Sequence, residues 1–220
     1  MTIGLRGIDR LPSLDRTRAG ERGITIGDLL VPIRISERIG SRVRHVALIV
    51  AGALLIAISA RIAFAIPGNP VPITGQTFGV LVAGGALGFR RGLAASALYV
   101  VLGIAGLPFF AEGRTGVEVV LGATGGYLVG FVVAAAIVGR LAELGWDRKV
   151  VGSVGAMVIA SAAVYLVGVP WLAYMTHHDL AWAVENGFLP FVAGDVVKLA
   201  LAAAAFPAAW WVVGHRPGDR

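Results

Sequence analysis

The sequence has no cysteine and few charged side chains. Without cysteine, a disulfide, a thiolate nucleophile and a cysteine-ligated metal are all excluded. Lysine, arginine, aspartate and glutamate make up only 15% of the 220 residues, whereas apolar residues make up 57%. So apolar a composition is atypical of soluble domains of this size. It predicts an integral membrane protein.

The sequence also lacks the motifs of an energy-supplying or catalytic subunit. It contains no G-x-x-x-x-G-K-[ST] phosphate loop, so this chain is not itself an ATPase. Its apolar segments contain no series of Asp, Glu and His residues that would form a proton relay. The adjacent His177 and His178 would point about 100° apart on a helix, which does not suit one metal ion. We therefore expect no metal, no cofactor and no enzyme activity.

Six apolar segments are long enough to cross a membrane as helices, which takes about 20 residues each. They are 46–66, 71–89, 92–110, 119–139, 150–169 and 189–213. Breaks rich in Gly, Pro or Arg separate them. The sequence thus predicts an all-α fold of six transmembrane helices, in a membrane domain over residues 45–214.

Arginine and lysine are distributed unequally between the two sides of this predicted bundle. Six crossings place both termini on one side, and sixteen of the nineteen basic residues then lie on that side. The positive-inside rule makes that side cytoplasmic. We therefore expect a multi-pass protein of the bacterial cell membrane with both termini in the cytoplasm, and the breaks after the first, third and fifth segments on the outside.

The two ends of the chain are predicted to be cytoplasmic tails. Residues 1–44 contain nine of the basic residues and no sustained apolar face, which predicts a largely disordered tail. Its charges could contact anionic membrane lipid. No groove-reading element accompanies them, so we expect no nucleic-acid partner. Residues 215–220 are predicted to form the other, short tail.

Asp195 and Lys198 are two charged residues inside the last apolar segment. Charged side chains within a membrane span are costly, face the protein interior and by default indicate a binding or transport site. At a spacing of i,i+3 the two share one helix face and can neutralise each other. The alternative is an ion pair that only fixes helix packing. In the predicted topology they lie about 9–14 Å below the outer surface, in a pocket open to the outside.

Small residues recur at intervals of four in two predicted helices. Gly122, Gly126 and Gly130 form one such row, and Ala53 with Ala57 forms another. Such rows let helix backbones approach closely. Ala53 and Ala57 are candidates for a face that docks on another membrane protein. Packing within the monomer is the alternative for both rows.

Four separate motifs, in order, resemble the BioY family. They are 67–77 (PGNPVPITGQT), 106–111 (GLPFFA), 121–128 (LGATGGYL) and 189–198 (LPFVAGDVVK). Four motifs in one order are more specific than any single motif. The resemblance covers roughly residues 45–213.

This resemblance implies both a fold and partners. BioY proteins are the biotin-binding S components of energy-coupling-factor (ECF) transporters, with a six-helix S-component fold. The implied partners are a transmembrane coupling subunit, which would meet Ala53 and Ala57, and two ATP-binding subunits. The implied ligand is biotin, which is transported and is not a cofactor. The residues that match the family's binding residues are Gln76, Gly125, Tyr127, Asp195 and Lys198.

The chemistry of these side chains suits biotin. Its ureido ring has two N–H donors and one carbonyl acceptor, and its side chain ends in a carboxylate. Asp195 can accept an N–H, whereas Lys198 and Gln76 can donate to an oxygen. Arg114, the basic residue in the predicted outer loop after the third segment, could meet the carboxylate, or it could be a solvated loop charge.

Other functions remain open at the level of the sequence. The chain could be an S-type component for another small vitamin, or a stand-alone biotin facilitator. An intramembrane enzyme with Asp195 as a general base is the third class. It is weak, because no second acid, nucleophile or metal cluster lies at a matching depth.

Overall fold

The computed structural model describes Gly23, residues 25–30 and residues 40–214 of the chain. Its helices are α1 (Ile26–Leu30), α2 (Ser41–Ser59), α3 (Gln76–Ile104), α4 (Val117–Val120), α5 (Gly125–Glu143), α6 (Val150–Thr176), α7 (Leu180–Gly187) and α8 (Leu189–Gly214). A two-stranded sheet, β1 (Ala63–Phe64) and β2 (Ile73–Thr74), and two 3-10 turns, Ala111–Gly113 and Trp146–Arg148, complete this part of the chain. Within it, α2, α3, α5, α6 and α8 are long and apolar enough to cross a membrane.

Helix α3 takes the place of the second and third predicted segments, and it reverses direction at Gly88. The Gly88 backbone has φ 80° and ψ 179°, in a region that favours glycine. Gln76 and Tyr99 would be about 35 Å apart in a straight helix of this length, yet their side chains are hydrogen-bonded. The carboxylate of Glu143 accepts the Phe89 N–H at 2.9 Å, beside the turn. The two halves of α3 therefore form a hairpin.

Helix α5 lies in the middle of the bundle, between α3 and α6. Its glycines allow this packing. A Cβ atom on Gly130 would lie 2.9 Å from the Val164 Cα, and one on Gly126 would lie 2.2 Å from the Trp171 Cβ. Gly126 and Gly130 therefore pack within the monomer, which was one of the two interpretations of the row, whereas Gly122 lies before α5 and is close only to the backbone of α4.

Ala53 and Ala57 on α2 also face the inside of the protein. They are 1% and 6% exposed, and both belong to the hydrophobic core. The prediction that this pair forms an outward docking face is therefore wrong for the structure of the single chain. The helix is rotated so that larger side chains such as Val50, Leu54 and Ile58 are on its exposed side.

One end of the bundle, here called the cavity end, is covered by short elements. The antiparallel strands pair Ala63 with Thr74 and Phe64 with Ile73. The loop between the strands is fixed to α7, because the side-chain amide of Asn69 donates to the Asn186 carbonyl at 2.7 Å. Asp179 precedes helix α7 as its N-cap, and its carboxylate accepts the Trp182 N–H at 2.8 Å.

A short N-terminal segment packs against the opposite end, beside the α3 turn. Thr25 and Ile26 are buried, and the Gly23 N–H donates to the Glu143 carbonyl at 2.8 Å. Asp28 forms an ion pair of 2.7 Å with Arg91. The structure thus differs from the expected disordered tail over 1–44: residues 25–30 are docked, and α2 begins at Ser41. Residues 1–22, 24, 31–39 and 215–220, which include the predicted C-terminal tail, lie outside the described residues.

Candidate ligand-binding cavity

A cavity opens at the cavity end of the bundle, with about 570 Å³ of empty space that includes the solvent at its mouth. Side chains from β2, the loop after α3, and helices α3, α4, α5, α6 and α8 line it. Four of the predicted site residues are among them: Gln76, Arg114, Tyr127 and Lys198. The hairpin of α3 is needed for this, because it brings Gln76 back to the same end as the loop after residue 104.

Lys198 is the cationic group on the α8 side of the cavity. Its ammonium donates to Asp195 Oδ1 at 2.9 Å, so the ion pair expected from the i,i+3 spacing is present. The second oxygen, Oδ2, accepts a hydrogen bond from the Tyr165 hydroxyl of α6. Asp195 itself does not line the cavity, and its side chain is only 8% exposed. Lys198 and Tyr165 are thus the cavity-lining members of this group.

Gln76 begins α3 and is buried at the cavity wall. Its carbonyl oxygen accepts the Thr74 hydroxyl at 2.9 Å, and its amide nitrogen donates to the Tyr99 hydroxyl. These two contacts fix which way the amide faces. The side-chain amide of Gln76 has two N–H groups, and the one that does not bond to Tyr99 is left to donate to a ligand.

Tyr127 and Gly125, at the start of α5, support the cavity wall in different ways. Tyr127 lines the cavity, but its hydroxyl donates to the Gly187 carbonyl at 2.8 Å, so its polar group joins α5 to α7. Gly125 does not line the cavity. A Cβ atom there would lie 1.7 Å from the Val120 carbonyl oxygen, so only glycine fits this close approach.

Arg114 lies at the rim of the cavity. Its side chain is 42% exposed, and its nearest carboxylate oxygen, from Glu112, is 3.9 Å away. An exposed pair at this distance contributes little to stability. The guanidinium therefore remains available to an anionic group at the opening.

The rest of the wall is mainly apolar and aromatic. Phe110, Phe131, Val164 and Phe191 are buried residues that line the cavity. Phe110 also packs edge-on against the Tyr99 ring, with 5.8 Å between centroids. A ligand here would be surrounded by apolar surface, with polar contacts at a few fixed points.

Sequence reasoning missed Tyr165 and Tyr99. Each is a tyrosine within an apolar segment, and a buried tyrosine hydroxyl usually finds a hydrogen-bond partner, which is the signal that could have found them. No close group of three or more His, Asp or Glu residues that could bind a metal occurs in the described part of the chain.

Comparison with known proteins decides the family. The model of the BioY family matches residues 33–215. The chain belongs to the BioY family. This match confirms the resemblance seen in the four motifs. Together with the five long apolar helices, it shows that this BioY-family chain is a multi-pass protein of the cell membrane.

Several curated relatives carry the same family name. The biotin transporter BioY of Thermotoga maritima is 41% identical over 138 residues, which are 63% of this chain and 80% of that protein. The probable biotin transporter BioY of Pyrococcus horikoshii is 35% identical over 161 residues, 73% of this chain and 93% of that protein.

A solved structure has the same fold. It is the crystal structure of the S-component for biotin from an ECF-type ABC transporter, with a TM-score of 0.70 and 25% sequence identity. The similarity covers 76% of this chain and 90% of the solved one. This BioY-family chain therefore has the S-component fold that the sequence motifs implied.

Proposed function

We propose that this chain captures biotin in the cavity as the substrate-specific S component of an ECF transporter. The proposal rests on one observation. In a chain of the BioY family, the cavity combines apolar walls with two polar groups, the Lys198 ammonium and the Gln76 amide. The relatives named as biotin transporters and the solved S-component for biotin support the choice of ligand.

The polar parts of biotin have complementary groups in the cavity. The ureido carbonyl can accept from Lys198 or Gln76, and a charge-assisted bond from the Lys198 ammonium contributes about 1.5–3 kcal/mol. The thioether ring and the aliphatic chain fit the aromatic walls. Arg114, at the opening, would meet the carboxylate at the end of the chain.

We propose six membrane crossings with both termini in the cytoplasm. Two facts support this topology. The α3 hairpin supplies two antiparallel halves in one long helix, and the distribution of basic residues in the sequence favours the side of the α3 turn as cytoplasmic. The cavity then opens to the outside, where biotin would be captured.

The proposed partners are a transmembrane coupling subunit and two ATP-binding subunits. Since this chain has no phosphate loop, an ATP-driven cycle would need ATP-binding partners. The solved protein with the same fold is a component of an ECF-type ABC transporter, which supports this assembly. A stand-alone biotin facilitator is the alternative, and cellular uptake with and without these partners distinguishes the two.

Equilibrium binding of radiolabelled biotin to the detergent-purified chain tests the proposed ligand. Lys198→Ala removes the ammonium that lines the cavity, so we expect its affinity to fall about 10- to 100-fold, as loss of a charge-assisted hydrogen bond predicts. Lys149, the other lysine of the sequence, is exposed before α6. Lys149→Ala is the matched control and should bind like the wild type.

Two results would contradict the proposal. If the folded wild-type chain does not bind biotin, the ligand is a different small molecule. If it binds biotin and Lys198→Ala binds equally well, biotin occupies another place than this cavity.

A further inference from the structure

We propose that Asp147 is a proton-binding site at the end of the bundle opposite the ligand cavity, and that its neutral, protonated form joins the Trp146–Arg148 turn to α8. The turn follows α5, whose first residues are at the cavity end. None of the four sequence motifs includes Asp147. The inference goes beyond the proposed function, because it does not depend on which ligand the chain captures.

Asp147 borders a second cavity, with about 190 Å³ of empty space that includes any solvent at its mouth. This second cavity shares no lining residue with the ligand cavity. Among the described residues that line it, Asp147 and Ser153 have polar side chains, and the others are glycine, alanine or larger apolar residues of α3, α5, α6 and α8. The carboxyl group of Asp147 therefore lies in apolar surroundings.

The two oxygens of the Asp147 carboxyl group have different contacts. Oδ2 accepts the indole N–H of Trp210 on α8 at 2.6 Å. Oδ1 is buried and has no hydrogen-bond partner among the described residues, and the same is true of the Ser153 hydroxyl. An ionised carboxylate with no donor on one oxygen is strongly unfavourable in such a place. A proton on Oδ1 removes this charge and leaves Oδ2 free to accept from Trp210.

The charged groups around Asp147 do not replace the missing donor. Arg148 follows it in the chain, and the Arg148 guanidinium lies over the Trp210 ring, 5.1 Å from its centroid. Helix α6, and α8 after Lys198, contain no charged residue. The other charged side chains on the described elements nearby are the exposed Arg90 and Lys149 and the ion pairs Arg140–Glu143 and Arg91–Asp28.

Burial raises the pKa of Asp147 above its ordinary value of 3.8, because it disfavours the charged form. The hydrogen bond from Trp210, a hydrogen bond from the backbone of Asp147 itself and the charge of Arg148 all lower this pKa, but they do not cancel the effect of burial. Only 4% of the residue is exposed. We therefore expect Asp147 to keep its proton at a pH where an exposed aspartate has lost it.

The protonated group connects separate parts of the bundle. The turn that contains Asp147 joins α5 to α6, and Trp210 is near the end of α8, so their hydrogen bond fastens α8 to this turn. When the proton is lost, Oδ1 needs a donor such as a water molecule, and that water has to enter the second cavity. Ionisation of Asp147 therefore loosens the contact between the turn and α8.

Infrared spectroscopy of the purified full chain tests for the proton directly. A protonated carboxylic acid has a C=O stretching band that an ionised carboxylate lacks. We expect this band in the difference spectrum of wild type minus Asp147→Asn at about pH 6, where an exposed aspartate is ionised. Glu185→Gln is the matched control. Glu185 is exposed, so its difference spectrum should lack the band at this pH.

Trp210→Phe is a second variant, which keeps the carboxyl group and does not require Asp147→Asn to fold. It removes the N–H that bonds to Oδ2, and that bond lowers the pKa of Asp147, so the proton should stay in place. The C=O band should move to a higher frequency, because its oxygen has lost a hydrogen bond. This shift assigns the band to Asp147.

Thermal unfolding at several pH values gives the sign of the effect. With a raised pKa, the bound proton stabilises the folded chain at acid pH, and this contribution is lost as the pH rises through the raised pKa. Asparagine resembles the neutral acid in shape and has no charge. The unfolding midpoint of Asp147→Asn should therefore rise relative to the wild type, by a few degrees between about pH 4 and pH 8. Glu185→Gln should follow the wild type.

Two results would overturn the inference. One is a folded wild type that shows neither the C=O band at about pH 6 nor its shift in Trp210→Phe. The other is an Asp147→Asn midpoint that falls relative to the wild type as the pH increases, because the charged carboxylate would then stabilise the fold. Neither measurement uses biotin. Failure of this inference therefore leaves the proposed function intact, and failure of biotin binding leaves this inference intact.

Discussion

Asp195 shows how a single charge is accommodated inside an apolar bundle. An isolated carboxylate in such surroundings would cost several kcal/mol, so it needs donors on its oxygens. The ammonium of Lys198 and the hydroxyl of Tyr165 supply them from two different helices. The same contacts orient the two groups that line the cavity. One residue therefore both lowers the cost of burial and arranges the polar part of the site.

Asp28, at the other end of the molecule, is a carboxylate whose contribution depends on pH. Burial by itself would raise its pKa, but the hydrogen bond and charge of Arg91, together with the hydrogen bonds from Thr25, outweigh this and lower the pKa below its ordinary value of 3.8. A lowered pKa means that the ion pair stabilises the docked segment fully above that ordinary value. The contribution is lost as the pH falls through the lowered pKa.

Hydrogen exchange of the backbone amides in residues 25–30 measures this effect. At pH 7 we expect Asp28→Asn to exchange several-fold faster than the wild type, because the ion pair with Arg91 is absent. As the pH is lowered through the depressed pKa of Asp28, the two chains should approach the same rate. His45, which accepts from Arg91, is present in both chains, so its effect is shared. A difference that stays the same over the whole acid titration would show that the charge of Asp28 does not hold the segment in place.

At the scale of elements, α2 has two different faces. Small residues such as Gly52, Ala53 and Ala57 pack inward, and a Cβ atom on Gly52 would lie 2.9 Å from the Ala95 Cβ on the second half of α3. The row of small residues is therefore used for close packing of α2 against the α3 hairpin. Its outward face carries larger apolar side chains, as expected for a surface in contact with lipid or a membrane partner.

Ala53→Leu tests this orientation of α2. Ala53 is 1% exposed, so the added atoms have no free space, and overpacking of a core costs about 1–3 kcal/mol. We expect a lower midpoint of thermal unfolding and weaker biotin binding. Ala51→Leu is the matched control, because Ala51 is exposed on the same helix and should tolerate leucine.

A different pair of results would argue for the opposite orientation. If Ala53→Leu left thermal unfolding unchanged while Ala51→Leu lowered its midpoint, α2 would be rotated relative to the orientation in this structure.

At the scale of the whole molecule, capture and transport are separate tasks. The cavity lies at one end of the bundle, and the docked segment and the α3 turn lie at the other. An ion pair and hydrogen bonds hold the described residues together at that opposite end. Arg91 donates to Asp28, and the Glu143 carboxylate accepts the Phe89 N–H. Movement of biotin to the cytoplasm would therefore need a conformational change that binding alone does not explain.

Uptake of radiolabelled biotin by intact cells tests how this change is driven. We expect uptake only when the coupling subunit and the two ATP-binding subunits are produced together with this chain. Biotin binding by the purified chain should be independent of them. Equal uptake in cells without these subunits would identify a stand-alone facilitator and contradict the proposed assembly.

The sequence by itself determined the membrane class, the apolar segments and the Asp195–Lys198 pair. These depend on composition and on spacing within one helix, which local geometry fixes. The four motifs also predicted the BioY family, which the family comparison confirmed. The cavity-lining positions of Gln76, Tyr127 and Lys198 agree with the residues that were singled out, although their contact with biotin stays a prediction.

Only the tertiary structure decided which residues meet across helices. The Tyr165 hydroxyl reaches a carboxylate thirty residues away, and Gln76 reaches Tyr99 because α3 reverses at Gly88. The inward rotation of Ala53 is likewise a result of packing. Periodicity within one segment gives the faces of a helix, but when nearly every face is apolar it cannot say which one its neighbours cover.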